Sequence, residues 1–323
     1  MKKIAVLDDY QGVALKMADW SPLKGRAEIT VFRDNLVDPS ALTDRLKDFE
    51  IVCVMRERTP LCRAVLAGLP RLEFIASTSA RNAAIDMDAA SSFGIAVGHT
   101  DYLSYGTTEM AWGLILAAIR HIPQEIAAVR AGGWQHTIGQ DIHGRTLGIV
   151  GLGNFGKAVA RVGAAFGMRV VAWSQNLDPE HARSHGVEAV SKHDLFRHSD
   201  IVSIHMVLSD RSRGLIGRPE IALMKPNAWL INTSRGPIVD EAALIAALES
   251  GAIAGAGLDT YGEEPLPAGH PFRRLENVLA MPHLGYVTED TYRLFYGQIV
   301  ENIVSWLDGT PMRTTLPARP RAV

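Results

Sequence analysis

The chain has 323 residues, 47% hydrophobic and 21% charged, with a formal net charge of −2. That length holds two domains of ordinary size, and the near-neutral balance excludes the basic excess carried by proteins that bind nucleic acid or anionic membranes. Two cysteines, Cys53 and Cys62, with no paired CxxC and no His cluster at zinc-ligand spacing, exclude a disulfide framework, imply no metal, and fit a reduced, cytoplasmic protein.

The apolar run of MKKIAVLDDY stops at Leu7, before Asp8 and Asp9, which is too early for a signal-peptide core; it reads as a first strand. Four more short runs rich in Val and Ile follow before residue 100: AEITVF, IVCVMRE, LEFIAST and IAVGH. A long helical pattern then extends from Thr107 to Arg130. Its most apolar part, Met110 to Ile119, ends at Arg120 and His121, short of the roughly 20 residues that a membrane span needs. A second series of strands comes next: TLGIVG, RVVAWS, DIVSIHM, AWLINTS, AGAGLDT and NVLAMPH. An amphipathic stretch from Glu289 to Leu307 and the tail PMRTTLPARPRAV, which lacks apolar periodicity, close the chain. Strands alternating with helices predict an α/β protein with parallel, doubly wound sheets.

The second series opens on a glycine-rich loop. TLGIVGLGNFGKAVARVGAAFG places Gly151, Gly153 and Gly156 in GxGxxG spacing between a strand and a helix, with Asn154 and Phe155 inside the motif. The first glycine permits the tight turn, the second lets backbone approach a pyrophosphate, and the third lets helix and strand pack closely. The helix N-terminus adds unpaired N–H groups and partial positive charge. A nicotinamide dinucleotide is therefore expected, bound by the second half of the chain.

An acid is expected about 20 residues further on, to hold the adenosine ribose and repel the extra phosphate of NADP. None stands there. The strand VVAWSQN ends in Ser174, Gln175 and Asn176, and the next carboxylate is Asp178. No arginine occupies 174 to 176 either, so NAD is expected with NADP left open.

Ligands in open α/β sheets sit beyond the carboxyl ends of the strands. Three strand ends of the second series carry reactive groups: Arg235 in NTSRG, Asp259, Glu263 and Glu264 in LDTYGEEP, and His283 in MPHLG. An arginine can pair with a substrate carboxylate and polarise a neighbouring carbonyl, while a histidine supplies the proton that accompanies hydride. A carboxylate against the imidazole would favour its charged form.

These motifs, from GRTLGIVGLGNFG through LINTSRGPIVDEAALIAALESGAIAGAGLDTYGEEPLP to NVLAMPHLGYVT, resemble the D-isomer-specific 2-hydroxyacid dehydrogenases over almost the whole chain. The resemblance implies a small 2-oxo or D-2-hydroxy acid as substrate. It also implies catalytic roles for Arg235, Glu264 and His283, with His283 as general acid/base. Beside Ser174 and Gln175, placed at the cofactor by their strand end, His205, Thr233, Asp259 and Gly285 fall where the family lines the cofactor, Asp259 at the nicotinamide carboxamide. The implied architecture is a Rossmann cofactor domain, 101–287, and a flavodoxin-like substrate-binding lid domain, 1–100 plus 288–323, without the regulatory domain of some relatives. The implied assembly is a homodimer. The resemblance extends to two other kinds of protein, a dinucleotide-sensing corepressor and a phosphite dehydrogenase. Where many relatives have a Gly- and Val-rich loop that binds the substrate carboxylate, this chain has STSARNAAID, with Ser79, Ala80 and Arg81. Arg81, and Arg56 after the strand IVCVM, are expected to add cations to the substrate site if they point inward.

Overall fold

A computed structural model describes residues 1–310 and 312–316. The chain forms two compact units, one made of Met1–Leu103 and Thr288–Val323, the other of Ser104–Val287.

In the first unit, the five early apolar runs form β1 (Lys2–Val6), β2 (Ala27–Val31), β3 (Ile51–Val54), β4 (Phe74–Ser77) and β5 (Ala96–His99). They lie parallel in the order β2-β1-β3-β4-β5, the flavodoxin-like arrangement. β3 and β4 are buried along their whole length, which explains their unbroken apolar sequence. The final helix, Glu289–Asp308, packs here, with Trp306 stacked on Phe74 at 5.5 Å and 7°.

The expected tail is partly structured. Thr314–Leu316 forms a strand that pairs antiparallel with β5 at the sheet edge, and its backbone bonds carry no apolar periodicity for sequence reading to detect. The remainder of that tail, 317–323, lies outside the described residues, as does residue 311.

The second unit contains β6 (Thr146–Val150), β7 (Arg169–Trp173), β8 (Glu188–Ala189), β9 (Ile201–Ile204), β10 (Trp229–Asn232), β11 (Gly255–Leu258) and β12 (Val278–Ala280). All seven are parallel, in the order β12-β11-β10-β9-β6-β7-β8. The strand order reverses between β6 and β9, which opens a crevice at their carboxyl ends. β8, a two-residue edge strand, has no apolar run and escapes the sequence pattern.

Alternate residues of these strands feed two cores. Ile149, Val170, Ala172, Ile201, Trp229 and Ile231 face the helix Tyr105–Ile119, whereas Val150, Val171, Val202, Leu230 and Leu258 pack with Phe196 and Leu244. The period of two along each strand places helices on both faces.

The long helix expected from Thr107 to Arg130 is two helices, Tyr105–Ile119 and Ile122–Arg130. Pro123 cannot continue the first helix, because it lacks an N–H and its ring clashes one turn back; His121 turns the chain at φ 51°. Among the described residues no helix is long and apolar enough to cross a membrane.

Candidate active site

The glycine loop joins β6 to the helix Asn154–Ala165. Gly151 has φ +97°, and a side chain there would collide with the carbonyl of His205 on the next strand end. A side chain on Gly156 would strike the carbonyl of Gly151, whereas the space beside Gly153 is open. Gly153 caps the helix without a side-chain bond, leaving its first N–H groups for an anion. A pocket of about 420 Å³ lies against this loop, lined by Gly151, Leu152, Gly153, Ser174, Asn176, Leu177, Asp178, His181, His205, Met206 and Val207.

Three buried polar atoms at this end of the sheet have no partner, Nδ1 of His205 and Oγ1 of Thr233 and of Thr260. Burial pushes the His205 imidazole down to about 4, so the ring is neutral, with its Nε2 bonded to Ser203 Oγ at 2.8 Å. Orphaned polar atoms beside an open glycine loop fit a polar ligand, and the residues present fit a dinucleotide.

Of the residues expected at the cofactor, Gly151, Gly153, Ser174 and His205 line the pocket. Gln175 is exposed and does not, while Asn154 is exposed and Phe155 half-buried at the start of the helix. Asn176, at the same strand end as Ser174, also lines the pocket, and Asp178 and His181 line it without having been assigned a role. Asp178 is the nearest carboxylate after the strand, two residues past Asn176. It also caps the helix Pro179–Ser184, accepting from the Glu180 and His181 N–H groups at 3.2 Å each.

Arg235, Glu264 and His283 follow β10, β11 and β12. Arg235 sits on a turn fixed by Asn232, which donates to the Arg235 carbonyl at 3.0 Å and accepts from the Ser234 N–H at 3.0 Å. Ser234 in turn donates to the Ile204 carbonyl at 2.7 Å, tying this turn to β9. The Arg235 guanidinium donates to the Ser234 carbonyl at 2.8 Å.

Glu264 and His283 touch: Oε2 lies 2.6 Å from Nδ1. The other carboxylate oxygen accepts from the Tyr261 N–H at 2.9 Å. Burial would raise the Glu264 carboxyl, but the His283 hydrogen bond and charge, the Tyr261 N–H and Arg235 together hold it below the usual carboxylate range. With Nδ1 committed to Glu264, Nε2 is the imidazole nitrogen left for a substrate.

Asp259 lies fully buried beneath the His283 loop. Its two oxygens accept from the N–H groups of Leu284 at 2.7 Å and Gly285 at 2.8 Å, which fixes the backbone just after His283, itself at φ 55°. Burial pushes the Asp259 carboxyl up, against the pull of those N–H groups and of His283. Both oxygens thus have protein partners, and the carboxamide contact expected for Asp259 would have to share them. Tyr261, passed over in the sequence, anchors the same region: its hydroxyl sits 3.1 Å from the Leu258 carbonyl and 2.9 Å from that of Met281. The only sequence signal for it is its place beside Asp259 in LDTYGEEP.

In the first unit, Arg56 and Ser79 come together at the ends of β3 and β4, with Arg56 Nη1 donating to Ser79 Oγ at 2.7 Å. Ala80 and Arg81 are exposed on the loop that follows.

A Rossmann unit with a dinucleotide-shaped loop at its switch point, and an Arg, a carboxylate and a His on the adjoining strand ends, defines a nicotinamide-dependent dehydrogenase. The description "D-isomer specific 2-hydroxyacid dehydrogenase, NAD binding domain" matches residues 112–285. A glyoxylate reductase from Aeropyrum pernix is 40% identical over 255 residues, 76% of each chain. A D-3-phosphoglycerate dehydrogenase from Methanocaldococcus jannaschii is 34% identical over 321 residues, 94% of this chain and 60% of the relative. Among solved structures, a phosphoglycerate oxidoreductase from Vibrio cholerae superposes with a TM-score of 0.91 at 36% identity, over 96% of this chain and 100% of that one. The chain belongs to the D-isomer specific 2-hydroxyacid dehydrogenase family, and it is an NAD-dependent oxidoreductase.

Proposed function

We propose that the protein reduces a small 2-oxo acid of the glyoxylate class to the corresponding 2-hydroxy acid, with His283 as general acid. The observation that carries this reading is the 2.6 Å contact between His283 Nδ1 and Glu264 Oε2, which orients the ring and leaves Nε2 for the substrate.

NADH, when bound, supplies the hydride; Gly151, Gly153, Ser174, His205 and Thr233 are the residues to hold it. Arg235 pairs with the substrate carboxylate and draws charge toward the carbonyl oxygen. As the carbonyl carbon gains hydride, its oxygen takes the proton from His283 Nε2, and Glu264 stabilises the imidazolium before that transfer. In the oxidative direction the neutral ring takes the hydroxyl proton. Arg56 is assigned to the substrate carboxylate by its place at a strand end of the first unit, with Ser79 bonded to its guanidinium.

The working assembly is a homodimer in the cytoplasm. Its support is the apolar arm of the second unit, where Ile122, Ile126, Val129, Trp134 and Ile138 are exposed, Trp134 by 75% and Ile138 by 93%. Apolar residues gathered at that level of exposure mark an interaction surface.

The test is steady-state oxidation of NADH with glyoxylate, hydroxypyruvate and pyruvate. Turnover with at least one is expected. Silence with all three, while NADH still binds, would move the assignment to a dinucleotide sensor or to a donor outside the 2-hydroxy acids.

A further inference from the structure

Where the family resemblance leads one to expect a glycine-rich substrate loop, this chain puts serine into a backbone conformation that favours glycine. Ser79 has φ 73°, is 8% exposed, and follows β4 by two residues. A side chain at such an angle is strained, and retaining one there calls for something the side chain does.

Ser79 is bonded on every side. Its N–H donates to Thr100 Oγ1 at 3.0 Å, its carbonyl lies 3.4 Å from Ser77 Oγ, and its hydroxyl donates to the Arg81 carbonyl at 3.0 Å. That hydroxyl also accepts from Arg56 Nη1 at 2.7 Å. The backbone of Arg56 is held from the same loop: its N–H donates to Thr78 Oγ1 at 2.6 Å, and its carbonyl accepts from Asn82 Nδ2 at 2.7 Å. Arg56 itself has φ 53°, and its guanidinium lies 5.1 Å from the Tyr102 ring centroid.

We infer that Ser79 is a positioning residue that holds the Arg56 guanidinium for the substrate carboxylate, and so sets substrate affinity. A guanidinium carries five N–H donors in a rigid fork. One bond to a fixed hydroxyl and a ring beneath the plane set the direction of the fork, and the ordering of a long side chain is completed before substrate arrives. The inference rests on the reading that Arg56 meets the substrate.

The experiment is a double-mutant cycle on the full chain, read as KM and kcat for glyoxylate at saturating NADH. Ser79→Ala and Ser79→Gly remove the same hydroxyl, the second also relieving the strained backbone. Both are expected to raise KM about 10-fold with kcat changed less than about 2-fold, as for a lost hydrogen bond to a charged group. Arg56→Ala is expected to raise KM further, and adding Ser79→Ala to it should have no additional effect. Equal effects of Ser79→Ala with and without Arg56 would overturn the positioning role while leaving Arg56 at the substrate. An unchanged KM in Arg56→Ala would instead remove the substrate-site reading of this strand end, and the inference with it. A wild-type KM in Ser79→Gly would show that the hydroxyl does nothing.

Discussion

Glu264 and His283 are in contact at 2.6 Å, so replacing the carboxylate tests the proposed pair without removing the histidine. Glu264→Gln keeps an oxygen for Nδ1 but no charge, and we expect kcat to fall about 10- to 100-fold with the NADH Kd unchanged, measured by stopped-flow turnover and fluorescence titration. The pair has a pH signature in stability as well. The folded-state carboxyl of Glu264 lies below its ordinary value, so its contribution is present at neutral pH and lost as pH falls through and below the ordinary carboxylate range near about 4. Its side chain is 34% exposed, which limits that contribution to about 1 kcal/mol or less; urea unfolding of wild type and Glu264→Gln should converge on acidification. A second residue answers the question of the missing acid. Asp178 lines the pocket together with Ser174 and Asn176, and a carboxylate there disfavours an additional phosphate by like-charge repulsion. NADH should therefore outperform NADPH. Asp178→Asn, which keeps an acceptor oxygen for one of the two cap N–H groups and a residue type favoured at helix caps, should raise kcat/KM for NADPH about 5- to 10-fold. An unchanged cofactor ratio in that variant would exclude Asp178 as the discriminator.

The elements that bear these residues were legible in the sequence wherever an apolar run met a strand. All eleven expected strands form, and the reactive Arg, Glu and His sit just past three of them because parallel sheets gather their carboxyl ends at one edge. Contacts made by backbone or through space were not legible. β13 (Thr314–Leu316) pairs through main-chain bonds without an apolar signature, and Asp178 reaches the pocket by a turn that strand-end counting does not follow. Asp259 is the clearest case, because nothing in LDTYGEEP says that its two oxygens will hold the N–H groups of Leu284 and Gly285. Asp259→Asn gives two N–H groups one acceptor oxygen. We expect stability to drop by about 1–3 kcal/mol in urea unfolding, and kcat to drop at least about 10-fold through loosening of the His283 loop. Loss of stability with kcat intact would show that the loop does not need Asp259 to place His283.

At the scale of the whole molecule, two parallel sheets were predictable from the alternation of strands and helices, and the flavodoxin-like and Rossmann strand orders complete that expectation. The exposed apolar residues from Ile122 to Ile138 were not singled out, since exposure of a side chain cannot be read from periodicity alone, and the expected helix ran through the break at Pro123. Light scattering should give twice the chain mass of 35.1 kDa, and Ile126→Asp should shift the protein toward monomer. A wild-type monomer would leave that surface without its proposed partner. In the proposed mechanism His283, placed by Glu264 and by the Asp259-bound loop, carries the proton of a hydride transfer. The most direct test of this role is His283→Ala, assayed side by side for NADH binding and for single-turnover oxidation of bound NADH by glyoxylate. The expected result is an unchanged Kd and a transfer rate lower by about 10²- to 10⁴-fold. A transfer rate equal to wild type would contradict it.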